Sequence, residues 1–198
     1  MVDYFALLNL PRSPWLSSDL VQARFLELSA NAHPDRVHGL GPTEIAEANA
    51  KFSELNKATA TLRDPKERLH HLIALETGGL PNAAQNIPTE FIELFAKIGQ
   101  TCRSVDQFQA ERARVTSPML QAQFFAQGLD WSDRVSELQQ QVGAVKKHAE
   151  AELREIANRW PSEKPFERLA ALAHVFAMTA RWEAQLQERF AALASGQF

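Results

Sequence analysis

His33, Pro34 and Asp35 stand in succession, with Arg36 after them, and of all the stretches in the chain this one is best suited to act on another molecule. A histidine beside an aspartate has the makings of a general base. No serine or cysteine nucleophile and no second carboxylate is arranged locally to use it, so proton-transfer chemistry is not expected. What the tripeptide specifies is a shape. Pro34 fixes its own φ and pushes His33 out of the α region, so a helix running into His33 must stop there. Asp35 follows with a short carboxylate suited to turns and caps. The result is a polar corner at a helix end. A given tripeptide arises by chance in roughly one chain in forty of this length, so its surroundings must decide what it means.

The remaining chemistry-bearing residues point away from catalysis. Six histidines are present. His33 and His38 flank a loop, adjacent His70 and His71 point about 100° apart on a helix, and His174 reads as a hydrogen-bonded or boundary histidine on an apolar helix. The single cysteine, Cys102, can form neither an internal disulfide nor a Cys-rich zinc site. Trp131, Trp160 and Trp182 suit a packed seam better than a ligand pocket. No metal, no cofactor and no catalytic residue is expected.

Composition narrows the class further. A net charge of −3 argues against nucleic-acid binding, which draws its affinity from clustered Lys and Arg, and 45% hydrophobic content argues against disorder. Met1-Val2-Asp3 carries an acid where a signal peptide would carry basic residues, and no apolar run approaches about eighteen residues. With one cysteine, a reducing cytoplasmic setting is expected, with no membrane.

Helical periodicity runs throughout, so an all-α chain is expected. A first helix covers roughly residues 3 to 9 and stops at Leu10-Pro11, with Phe5 and Leu8 toward a core; so short a helix needs partners. Ser17 or Ser18 caps the next, with Asp19 at its positive end. Leu20, Phe25, Leu28 and Ala32 form its apolar stripe, which leaves Gln22 and Arg24 toward solvent. After the Gly39–Pro42 loop, Thr43 opens a helix to about Leu62 with Ile45, Phe52, Leu55 and Leu62 on one face. These two helices are expected to form an antiparallel hairpin with the polar corner at its tip. Asp64-Pro65 starts a fourth helix and Gly78-Gly79 ends it. The spacing thus predicts one domain over 1–79, a linker over 80–87 and a second domain over 88–198.

In the second domain, Phe91, Leu94, Phe95 and Ile98 share a helix face, with Ile92 about 100° away and without a core of its own. Ser104 with Gln107 reads as a capping box, and Ser117-Pro118 as the start of a short segment ending at Gly128. From Trp131 through Val135, Leu138, Val142, Val145, Ala149, Leu153 and Ile156 to Trp160, apolar residues recur at steps of three and four, predicting a helix on the order of 45 Å long. Pro161 to Pro165 interrupts it, and a last helix begins at Phe166. Long antiparallel helices with apolar seams imply a bundle.

Asp3-Tyr4-Phe5-Ala6-Leu7-Leu8-Asn9-Leu10-Pro11, with Leu20, Arg24-Phe25, Leu28 and His33-Pro34-Asp35, resembles a J-domain. Phe52, Leu55-Asn56, Ala58, Leu62-Arg63-Asp64-Pro65, Arg68 and Leu72-Ile73 are similar to its third and fourth helices. The N-terminal Asp-Tyr-Phe and the Leu-Arg-x-Pro-x-x-Arg run resemble, more closely, the HscB family of J-type co-chaperones of iron–sulfur cluster assembly. The resemblance implies a J-domain of antiparallel helical hairpin with short flanking helices, followed by a helical client-binding domain. It implies docking on a DnaK/HscA-type ATP-dependent chaperone and stimulation of that partner's ATPase, so the chain is not itself an enzyme. His33, Pro34 and Asp35 would be the indispensable contact, with Arg24, Arg36 and Lys51 supplying charge; Arg36 stands where Lys is usual. The client implied is the cluster scaffold protein, held by Phe91, Ile92 and Phe95, although Ala96-Lys97-Ile98-Gly99-Gln100 stands where the family carries an acidic run. A J-protein serving another client, and a J-like structural protein that stimulates no chaperone, are the alternative readings. Oligomeric state is not specified by these features.

Overall fold

The computed structural model describes residues 1–30, 41–79, 89–160 and 162–194, all of them helix, turn or connection without a strand. The chain divides into two compact units: residues 1–83 with 150–174, and residues 84–149 with 175–198.

In the first unit, α1 (Tyr4–Leu7) is only 4 residues long and begins where the Asp3 carboxylate accepts from the Phe5 and Ala6 N–H groups. A single turn cannot hold itself in water, and it is the full burial of Phe5 and Leu8 that keeps it in place. Ser17 caps α2 (Ser18–Ser29) by accepting from the Leu20 N–H. Pro42 opens α3 (Pro42–Arg63), whose first turn is secured by the Glu44 carboxylate accepting from the Gly41 N–H at 2.9 Å. α4 (Pro65–Thr77) starts with the Asp64 carboxylate on the Glu67 N–H and ends at Gly78 in the left-handed region, φ 79°, where a side chain would be strained. Val21, Leu55, Leu62, Leu69, Leu72 and Ile73 complete the core of these helices, each no more than 1% exposed. On α2 the inward stripe is Val21, Phe25 and Leu28, whereas Leu20 stands 41% exposed one position off it.

In the second unit, a 3-10 turn (Thr89–Phe91) leads into α5 (Ile92–Arg112). α6 (Pro118–Arg159) and α7 (Phe166–Ala194) are long enough that their facing ends, residues 150–174, belong to the first unit. Their course in the second unit follows from side-chain pairs. Lys146 meets Glu183 at 2.8 Å and Gln139 meets Gln187 at 3.2 Å, so α6 and α7 run antiparallel. Phe95 lies 6.4 Å from Trp182 and Asp106 3.0 Å from Arg189, so α5 runs parallel to α7. Ile98, Val105, Val135, Val142, Trp182 and Leu186 fill the space between them.

Two expected boundaries are absent. Ser104 and Gln107 lie inside α5, where no new helix begins, and Gly128 lies inside α6, not at an end. Gly128 is buried, a Cβ there would lie in ordinary contact with the Phe108 ring at 3.8 Å, and Phe108 also stacks on Phe124 at 5.4 Å. Packing of α5 on this stretch carries the helix through the glycine, against its local propensity of about 1 kcal/mol.

Candidate functional site

His33, Pro34, Asp35 and Arg36 lie outside the described residues; the helices on either side of them do not. Arg63, in the last turn of α3, donates to the Ser18 hydroxyl at 3.2 Å and to the Gln22 side-chain oxygen at 3.1 Å, at the start of α2. Further along, Phe25 and Phe52 bring their rings to 6.1 Å. An early residue of one helix thus meets a late residue of the other, and α2 and α3 are antiparallel neighbours. Arg24 and Lys51 each precede one member of the Phe25–Phe52 pair. Lys51 is exposed, and the half-buried Arg24 holds Glu27 at 2.7 Å.

Two structural devices behind this pair have no signature in periodicity. Arg68, on α4, is 3% exposed and donates to the Pro14 carbonyl at 3.0 Å and to the Leu62 carbonyl at 2.6 Å. It ties the α1–α2 connection and the end of α3 to α4, and the Leu62 carbonyl is among those a helix end leaves without a partner. Burial lowers the Arg68 pKa to about 10, against the attraction of Asp64 and Glu150, so it remains a cation at neutral pH. At the chain start, Arg12 bridges Asp3 (2.8 Å) and Glu76 (3.0 Å), and Lys164 holds the other oxygen of Glu76. Lys164 and Arg12 keep the Glu76 carboxyl below its ordinary range against its partial burial. Burial works to raise Asp3, but the Ala6 N–H and Arg12 outweigh it, and its pKa is lowered too.

His71 gives this region a pH dependence. Its Nε2 accepts the Tyr4 N–H at 3.1 Å, and its ring stacks on Tyr4 at 4.7 Å and on Phe5 at 5.8 Å. An accepting Nε2 carries no proton. Burial lowers the His71 pKa; the Asp3 charge opposes this and Arg12 adds to it. The unfolded chain binds this proton near pH 6.5, the folded chain only at lower pH. The stability contributed by neutral His71 is therefore complete above about pH 6.5 and is lost as pH falls from there through the folded-state pKa. Melting temperature should fall between about pH 7.5 and 5.5, above the range in which Asp3 and Glu76 titrate, and His71→Gln should flatten that fall. Equal slopes in the two proteins would contradict the assignment.

The second set of candidates gathers at the start of α5. Phe91 is half-buried, while Ile92 and Phe95 are 50% and 49% exposed on adjoining turns. Trp182, itself 3% exposed, supports Phe95 from below. Ile98, one turn on, is buried, so the apolar surface ends there. Glu93 and Lys97 are exposed beside it. Such a surface suits contact with another protein rather than catalysis. Among the described residues, no group of three or more His, Cys, Asp or Glu is placed to hold a metal ion, and no helix is long and apolar enough to cross a membrane.

Comparison with known proteins agrees with this architecture. The DnaJ domain family model matches residues 3–71. The co-chaperone protein HscB of Proteus mirabilis is 29% identical over 86 residues, 43% of this chain and 50% of that protein. The HscB homolog of Haemophilus influenzae is 30% identical over 115 residues, 57% of this chain and 66% of that protein. The matched stretches thus span half to two thirds of these relatives. In structure, chaperone HscB from Vibrio cholerae superimposes with a TM-score of 0.68 at 19% identity, covering 94% of this chain and 96% of that one. Human co-chaperone protein HscB gives 0.62 at 17% identity, covering 96% and 81%. At such identities the likeness is one of fold, and it extends over both units. Residues 3–71 are a DnaJ domain, and the chain is an HscB-like J-domain protein.

Proposed function

We propose that the chain is a J-type co-chaperone that docks on a DnaK/HscA-type ATP-dependent chaperone, stimulates that partner's ATPase and delivers a client, the iron–sulfur cluster scaffold protein. One observation carries the reading: His33-Pro34-Asp35 joins two helices that pack antiparallel inside a matched DnaJ domain. In this reading His33, Pro34 and Asp35 act by shape and hydrogen bonding. Bond cleavage belongs to the partner. Arg24, Arg36 and Lys51 face an acidic surface, and since interface charge governs encounter rate and specificity more than affinity, docking is weak, fast and sensitive to salt. The setting is the cytoplasm. Single-turnover ATP hydrolysis by DnaK and by HscA, with and without the chain, tests the proposal. Acceleration of at least one is expected, declining between about 50 and 300 mM salt; no acceleration of either overturns it.

Client binding rests on Phe91, Ile92 and Phe95. Charge on a half-exposed apolar residue at an interface centre costs about 2 kcal/mol or more, so Ile92→Lys is expected to weaken scaffold binding by over about tenfold. ATPase stimulation by the J-domain should be untouched. Unchanged scaffold affinity on calorimetric titration would remove this face from the account.

A further inference from the structure

The first turns of α6 carry an apolar surface that no other described helix of its unit covers. From Ser117 to Leu129 there is no charged residue, although 23% of the chain is charged. Met119, Phe125 and Leu129 are 78%, 58% and 54% exposed. α5 occupies the other side of this stretch, where Phe108 meets Phe124 and Gly128. α7 stops short of it: from the Gln187–Gln139 contact, about two further turns to Ala194 bring α7 back along α6 only to about residue 132.

We propose that this face is where two copies of the chain pair, their α6 helices packed antiparallel about a two-fold axis. Met119, Ala122, Ala126 and Leu129 follow one another at steps of three, four and three, the spacing of a helix–helix seam. The two alanines, Ala122 of each copy opposite Ala126 of the other, let the backbones approach at the middle, with Met119 of each copy opposite Leu129 of the other at either end and Phe125 flanking the seam. Charge at the two ends of the face favours this pairing over a parallel one. Arg114 lies exposed before α6, and Asp130 and Asp133 lie exposed just beyond Leu129. Arg134 is exposed there too, so this end carries a net charge of −1. An antiparallel two-fold sets Arg114 of each copy against that end of the other, and a parallel pair would set Arg114 against Arg114. The exposed parts of these side chains amount to roughly 400–500 Å² per copy, or about 1,000 Å² for the pair, the lower end of specific interfaces. A weak, reversible dimer follows.

Sedimentation equilibrium of the full chain alone tests this. A monomer–dimer equilibrium is expected, with a dissociation constant on the order of 10–100 μM. Phe125→Glu and Leu129→Lys, both at exposed positions, should each raise it at least about tenfold with unchanged circular dichroism. Arg114→Asp should weaken it, and adding Asp130→Arg with Asp133→Arg should restore it. A monomer up to about 500 μM, or a dimer indifferent to Phe125→Glu and Leu129→Lys, would overturn the proposal, and the first outcome would leave the face to a different protein.

Discussion

Glutamine in place of His33 is expected to return single-turnover ATP hydrolysis by the partner chaperone to its unstimulated rate while leaving circular dichroism and melting temperature unchanged. The two halves of this prediction have separate grounds. The flanking helices hold themselves without His33: Ser17 secures the start of α2, Glu44 the start of α3, and Arg63 and the Phe25–Phe52 pair bind one helix to the other. Removing the imidazole therefore takes nothing from the described core. Stimulation, in contrast, depends on a small set of presented side chains, and truncating a central contact typically costs about 2 kcal/mol or more, over tenfold in occupancy. Stimulation by His33→Gln equal to that of the unaltered chain would show that the corner is not the contact. Loss of stimulation together with a lowered melting temperature would show instead that His33 supports the fold.

Leucine in place of Arg68 should destabilise the first unit by about 3 kcal/mol, lowering its melting transition by about 13 °C. The guanidinium on α4 satisfies two carbonyls, those of Pro14 and Leu62, from two other elements at a site nearly closed to water. Leucine fills part of the volume but leaves both acceptors buried and unpaired, at about 1–3 kcal/mol each. Relief from burying a cation returns some of that, which sets the net near the middle of the range. Lysine should rescue little, because a single ammonium cannot reproduce the guanidinium fork that reaches two carbonyls in different directions. A change within about 0.5 kcal/mol in urea unfolding would mean that water replaces the guanidinium, and the tie would lose its assigned weight.

What could be read from residues alone was whatever depends on near neighbours. Asp64 and Pro65 at the start of α4, Gly78 at its end and Ser17 before α2 are local signals, and the chain uses each as its chemistry suggests. The same vocabulary misled where a helix had long-range support. Ser104 with Gln107, and Gly128, carry start and stop signals, yet α5 and α6 pass through them because Phe108 packs against Phe124 and Gly128. On α2 the spacing draws the apolar stripe through Leu20, and it is the packing of α2 against α3 that turns Val21 inside instead. Arg68 was visible as one of the residues that carry the J-domain resemblance but not as a tie, since Pro14 and Leu62 are brought to it by tertiary structure. The Arg12–Glu76–Lys164 cluster joins residues far apart in sequence and had no local signal at all. For the candidate surfaces, the half-exposure of Ile92 agrees with its position off the apolar stripe, whereas that of Phe95, which lies on the stripe, depends on where α7 sets Trp182.

The most direct probe of the central claim is amide NMR of the isotopically labelled chain titrated with the ATP-bound chaperone. Docking through the corner predicts fast-exchange shifts and broadening concentrated in residues 20–55, with α7 beyond Val175 unaffected and the changes fading at high salt. Signals that move only outside residues 20–55, or none that move at saturating chaperone, would contradict it.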